Sequence, residues 1–150
     1  MTAYRTIVVG TDGSDSSYVA VEKAAALAGD ADATLVLACA YFPTDDRDDA
    51  AAADVLKDEA YQVRGSAPTN EILHVAREKA VAAGAKNIVE RAIVGEPVDS
   101  LLDLVNETKA DLLVVGNRGL NTLTGRLLGS VPSDVARKSR SDVLIVHTVR

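Results

Sequence analysis

The sequence predicts an open, doubly wound α/β domain: a parallel sheet with helices on both faces. Three observations carry that expectation. Five short apolar runs rich in β-branched residues recur along the chain, and helical patterns separate them. Most of the runs are continuous rather than alternating, which is how strands covered on both faces read. Strand alternating with helix marks βαβ units, whose right-handed crossovers place helices on both sides of a sheet.

Length and composition agree with this class. At 150 residues, 47% of them apolar, the chain has the size of one domain around one core, and residues 1–150 read as a single unit. Alanine and valine dominate while aromatics are scarce, with four Tyr, one Phe and no Trp. That composition suits thin, closely packed layers and offers no platform for stacking bases. A formal charge of −6 also opposes a phosphate backbone, so no nucleic-acid partner is expected. The opening "MTAYRTIVVGTDGS" has too few apolar residues for a signal peptide or a membrane span. No membrane partner and a cytoplasmic location are expected. The one cysteine, Cys39, lies in an apolar run and reads as a buried, inert thiol.

The elements follow in order. "TIVVG" (6–10) is the first strand, and an Ala-rich helix runs from Ser16 to Ala28 with Gly29 as its stop. "TLVLACAY" (34–41) is the second strand. The polar stretch from Pro43 to Pro68, with "TDDRDDAAAAD" and "RGSAP", reads as an irregular excursion containing one helix near Asp54–Tyr61. From Thr69 to Ala83, Ile72, Leu73, Ala76 and Ala80 share a helical face, and Gly84 closes it. "NIVERAIVG" (87–95) alternates more than the other runs and belongs near a sheet edge. Pro97 takes a first helical position, followed by Val98, Leu101, Leu102 and Val105. "DLLVVG" (111–116) is the fourth strand; a helix from Val131 to Ser139, capped by Ser130, leads to the last, "DVLIVHTV" (142–149).

In open α/β sheets ligands collect outside the carboxyl ends of the strands, where strand order reverses. Two strand ends carry suitable chemistry. After the first, Gly10 frees the backbone and Asp12 offers a carboxylate for a ribose hydroxyl or a base amino group. The same aspartate could instead organise the turn into the first helix, with Ser14 or Asp15 as cap. After the fourth, "GNRGLNTLTGRLLGSVPSDV" (116–135) brings Gly116, Gly119 and Gly129, with Ser130 at a helix start. First-turn amides and roughly half a unit of positive dipole charge favour an anion there. Arg118 and Arg126 could add charge-assisted bonds to phosphate oxygens. A structural turn would explain the glycines as well. No G-x-x-x-x-G-K-[ST] occurs, and "GTDGSD" lacks the last glycine of G-x-G-x-x-G, so neither a Walker A loop nor the usual dinucleotide fingerprint is present.

The spacing G-x-x-G, nine residues, G-[ST], met by Gly116, Gly119, Gly129 and Ser130, resembles the nucleotide-binding motif of the universal stress protein family. "TIVVGTDGSDSSYVAVEKAAALA", "ADLLVVGNRGL" and "LLGSVPSDVARKSRSDVLIVH" are similar to that family's first and closing segments, so the likeness covers almost the whole chain. It implies five parallel strands in the order 3-2-1-4-5, a homodimer, and binding of ATP or another adenine nucleotide (AMP or cyclic AMP included), with Mg accompanying ATP. The resemblance places Gly10 and Thr11 at the pocket floor, Asp12 at the adenosine end and backbone at Ala40 beside adenine. It assigns Gly116 and Gly119 to ribose and phosphate, and Gly129, Ser130 and Val131 to the phosphates. Where many relatives have His-Val, this chain has Cys39-Ala40, so adenine recognition would rest on backbone and shape.

The glycine loop offers no acid or histidine to activate water, and His74 and His147 read as structural or surface residues. The expected function is therefore binding by a stress or regulatory protein, without efficient turnover. A slow ATPase or phosphotransferase is the alternative; a dimeric interaction module with an empty pocket is a further one. The last strand, apolar and at a sheet edge in the implied order, is expected to build the dimer through residues 143–149.

Overall fold

The structure is a computed structural model in which residues 3–42, 66–117 and 130–148 are described. Among them, β1 (Thr6–Gly10), β2 (Thr34–Tyr41), β3 (Asn87–Val94), β4 (Leu112–Gly116) and β5 (Asp142–Val146) form one parallel sheet in the order β3-β2-β1-β4-β5. Helices α1 (Asp15–Ala31), α2 (Ser66–Ala83), α3 (Pro97–Thr108) and α4 (Ser130–Lys138) connect them. The order runs outward from β1 in one direction and from β4 in the other. The switch point is therefore the seam between these two strands.

Side chains alternate across each strand, and that period sorts the core into two layers. Ile7, Val9, Leu35, Leu37, Leu112 and Val114 pack on the face covered by α1 and α2. Val8, Val36, Leu113 and Val115 pack on the other, against Val98, Leu101 and Leu104 of α3 and Val135 of α4. β1, β2 and β4 are covered on both sides, as their continuous apolar runs require. β3 is an edge strand with an alternating, largely exposed pattern.

Several boundaries differ from expectation for identifiable reasons. Helix α1 does not stop at Gly29; it runs on to Ala31 and is closed by Asp32 in the left-handed conformation (φ 55°), whose N–H reaches the Ala28 and Gly29 carbonyls. Gly29 is needed for close approach: a Cβ there would overlap the Gly84 carbonyl oxygen, at the turn that follows α2. Helix α2 starts at Ser66, with Pro68 in its first turn, where a missing N–H costs nothing. α3 begins with Pro97 as expected, behind Glu96, whose carboxylate caps the Val98 and Asp99 N–H groups. α4 takes in Ser130 as its first helical residue. β5 ends at Val146, short of residue 149. The helix expected near Asp54–Tyr61 lies outside the described residues.

Candidate functional site

Two strands of unequal reach make the first half of the candidate site. β1 pairs with β2 in register from Thr6↔Thr34 to Gly10↔Ala38, and the Thr11 N–H continues the ladder to the Ala38 carbonyl at 2.9 Å. The chain then leaves the sheet. Gly13 turns it with φ 86°, and its N–H goes to Thr11 Oγ1 at 3.1 Å rather than to β2. β2 itself continues to Tyr41. Backbone groups of a parallel strand point alternately to its two neighbours. Ala38 faces β1 while the Tyr41 carbonyl accepts from Gly95 N–H beyond β3, so Ala40 shares the orientation of Ala38. Its N–H and C=O point to the side of β1, past the place where β1 ends.

The loop beyond β1 is held by its own side chains. Asp12 Oδ1 accepts from Ser14 N–H (2.9 Å) and Ser14 Oγ (2.6 Å), so Asp12 does organise the turn. Both bonds fall on one oxygen, which leaves Oδ2 of the half-buried carboxylate as the face it can offer a ligand. Ser14 is the N-cap of α1, its Oγ accepting from Ser17 N–H. Ser17 Oγ donates to the Ser14 carbonyl, so its 2.7 Å contact with Thr11 Oγ1 has threonine as donor. Thr11 is buried and its hydroxyl is engaged within the protein.

Gly10 has an ordinary φ, and its lack of a side chain serves packing: a Cβ would sit 3.1 Å from Leu101 Cδ1 of α3. Cys39, in the core layer under α1 and α2, is fully buried, with its thiol pushed up to about 12 mainly by burial and further by the Asp12 charge, while a hydrogen bond with Thr69 pulls it down. At that value the sulfur stays protonated and unreactive at neutral pH.

β4 makes the second half. It pairs with β1 only from Ile7↔Leu112 to Val9↔Val114, but with β5 as far as Gly116↔Val146. The pairing of β1 with β4 therefore stops at Val114 while β4 runs on to Gly116, and the gap opens at the switch point. Gly116 sits at this end, where a Cβ would meet Thr148 Cγ2 at 3.2 Å and the Ser16 carbonyl oxygen at 3.8 Å. Next to it, Asn117 N–H reaches the Val146 carbonyl at 2.8 Å, and its side chain accepts from Thr148. Ser130 and Val131 open α4, where a helix leaves its first amides free. Arg118, Gly119, Arg126 and Gly129 lie outside the described residues. His74 is exposed on α2 and bonded to Glu78; His147 is exposed just past β5.

The structure thus brings Gly10, Thr11, Asp12, Ala40 and Gly116 to the carboxyl edge of the sheet. Sequence reasoning passed over Gly13, whose positive φ makes the turn, and Asn117 with Thr148. Gly13 was legible as a glycine following an aspartate; the Asn117–Thr148 contact joins residues 31 apart in sequence and had no local signal.

A model of the universal stress protein family matches residues 3–147. The chain belongs to that family. A universal stress protein of Mycobacterium tuberculosis is 64% identical over 148 residues, covering 99% of each chain. Among solved structures, a universal stress protein in complex with cAMP is 51% identical, with a TM-score of 0.77, covering 99% of this chain and 100% of the other. The universal stress protein UspA of Lactobacillus plantarum, 21% identical with a TM-score of 0.76, shares the fold, covering 97% of this chain and 99% of the other.

Proposed function

We propose that this universal stress protein domain binds an adenine nucleotide at the seam between β1 and β4, without efficient turnover, as a regulatory or buffering protein. The observation that carries the reading is the overhang of β2. Ala40 presents one N–H and one C=O past the end of β1, the donor and acceptor pair that suits N1 and N6 of adenine. Asp12 Oδ2 accepts from a ribose hydroxyl, and Gly116 with Gly119 flanks ribose and phosphate. The phosphates rest on Ser130 and Val131 at the start of α4, with Gly129 before them in the sequence and Arg118 adding charge.

Cyclic AMP is the ligand to test first, because a relative 51% identical over nearly the whole chain was crystallised in complex with cAMP. ATP and AMP share the adenosine end and remain the comparison ligands. Among the described residues no group of three or more His, Cys, Asp or Glu side chains could hold a metal ion. Mg entering with ATP would be carried by phosphate oxygens and water. No helix among the described residues is long and apolar enough to cross a membrane; a cytoplasmic location is part of the proposal.

Calorimetric titration with cyclic AMP, AMP and ATP tests the site. Saturable binding is expected, weakened about tenfold in Asp12→Asn, which keeps an Oδ1 acceptor for Ser14 but replaces the second oxygen. Heat changes indistinguishable from buffer for all three nucleotides would end the reading. Phosphate release from ATP that falls in a Gly129→Asp, Ser130→Ala variant would instead favour the enzyme.

A further inference from the structure

We infer that Asn117 is a positioning residue for the nucleotide, an inference that rests on the binding reading above: its side chain ties the end of β4 to the chain beyond β5 and so fixes where Gly116 presents its backbone. The two strands end together, at Gly116 and Val146. Beyond them the Asn117 N–H still reaches the Val146 carbonyl, and from there the tie between the two segments is a side chain. Asn117 Oδ1 accepts from Thr148 N–H at 2.8 Å and from Thr148 Oγ1 at 2.9 Å.

A backbone N–H can only donate, so the amide orientation is settled: the oxygen faces Thr148, and Nδ2 faces His147 Nδ1 at 3.4 Å. The asparagine therefore spans the two described residues that follow β5, His147 and Thr148. Its effect on the site passes through Thr148, which is buried. The threonine's Cγ2 lies 3.2 Å from the place of a Gly116 Cβ, and the Ser16 carbonyl of α1 closes in at 3.8 Å. Gly116 is held in a slot between the first turn of α1 and a threonine that Asn117 holds in place. Without the amide, Thr148 loses the acceptor for both its N–H and its hydroxyl, and the wall of the slot is free to move. Misplacement of a residue that touches the ligand costs affinity even where no ligand contact is removed.

A purely structural cap would behave differently, and two variants separate the two roles. Asn117→Ala removes the tie; Thr148→Val keeps the shape against Gly116 but loses the hydroxyl bond. Cyclic AMP affinity is measured by calorimetry, with the melting midpoint of the nucleotide-free protein measured beside it. The expected result is about tenfold weaker binding in Asn117→Ala and about threefold in Thr148→Val. Full affinity in Asn117→Ala would overturn the inference. So would full affinity in Thr148→Val, which also decides the matter if Asn117→Ala fails to fold. A parent protein that binds no cyclic AMP, AMP or ATP would remove the binding reading and this inference with it, an outcome distinct from a binding parent with unaffected variants.

Discussion

Among the described residues, Cys39 is the one whose acidity is most altered by its surroundings. It sits at the far end of the β1–β2 pairing, fully buried, with its thiol raised from 9.0 to about 12 chiefly by burial. The folded state thus keeps a proton that the unfolded chain releases. Stability from this group is intact below about pH 9 and falls as pH rises from there toward 12. Chemical denaturation across pH 8 to 11 should show a steeper loss for the parent than for Cys39→Ala, by up to about 1.4 kcal/mol per pH unit. Identical slopes would mean that the thiol is not held protonated. The same burial predicts that iodoacetamide leaves the native protein unlabelled at pH 8 and labels it once unfolded. Asp12 shows a different division of labour at the same scale. One carboxylate oxygen builds the turn through Ser14. The turn role and the ligand role, which read as alternatives in the sequence, are compatible because a carboxylate has two oxygens.

At the scale of elements, α1 and the turn after α2 meet backbone to backbone. In an exposed helix interior, Gly→Ala gains about 0.5–1 kcal/mol. At Gly29 the new methyl would strike the Gly84 carbonyl oxygen, on a backbone held at φ 116°. Gly29→Ala is therefore expected to destabilise by about 2–3 kcal/mol in urea titration. A gain in stability would show that the two elements can separate without cost. The edges of the sheet contrast as elements too. β3 carries Glu90 and Arg91, paired to Arg77 of α2 and Glu107 of α3, so its open side is guarded by charge. After Asp142, β5 is wholly apolar.

That contrast bears on the whole molecule. Val146 faces β4 through its carbonyl, so by alternation Val143 and Ile145 turn their backbone groups outward from the sheet. Beside this edge an open groove of about 440 Å³ is lined by Tyr4, Leu27, Leu112, Asp142, Val143 and Leu144. We propose that two copies pair along β5 as a homodimer. Sedimentation at micromolar concentration should give twice the mass of the 150-residue chain, and Val143→Pro, which removes an outward N–H near the strand's start, should give the monomer. A monomeric parent under those conditions would count against the pairing.

The fold was legible because its determinants are local. Continuous apolar runs dictated buried strands, alternation in residues 87–94 dictated an edge, and Pro97 and Gly84 marked a helix start and a helix end. Gly29 misled for a physical reason: a glycine needed for close approach looks, in one dimension, like a glycine needed for a stop. The site was half legible. Glycines and an aspartate at strand ends declare a loop that can approach a ligand, and Asp12 and Gly116 do reach the same edge of the sheet. By itself the sequence determined the order of elements, the two-layer core and the residues available at the carboxyl ends. Only the tertiary structure decided that β2 outruns β1 and turns the backbone of Ala40 to the side where β1 has ended, that Leu101 and Thr148 fill the space against Gly10 and Gly116, and that Asn117 joins the ends of β4 and β5. Those outcomes depend on register and on contacts between distant residues, which no short-range pattern encodes.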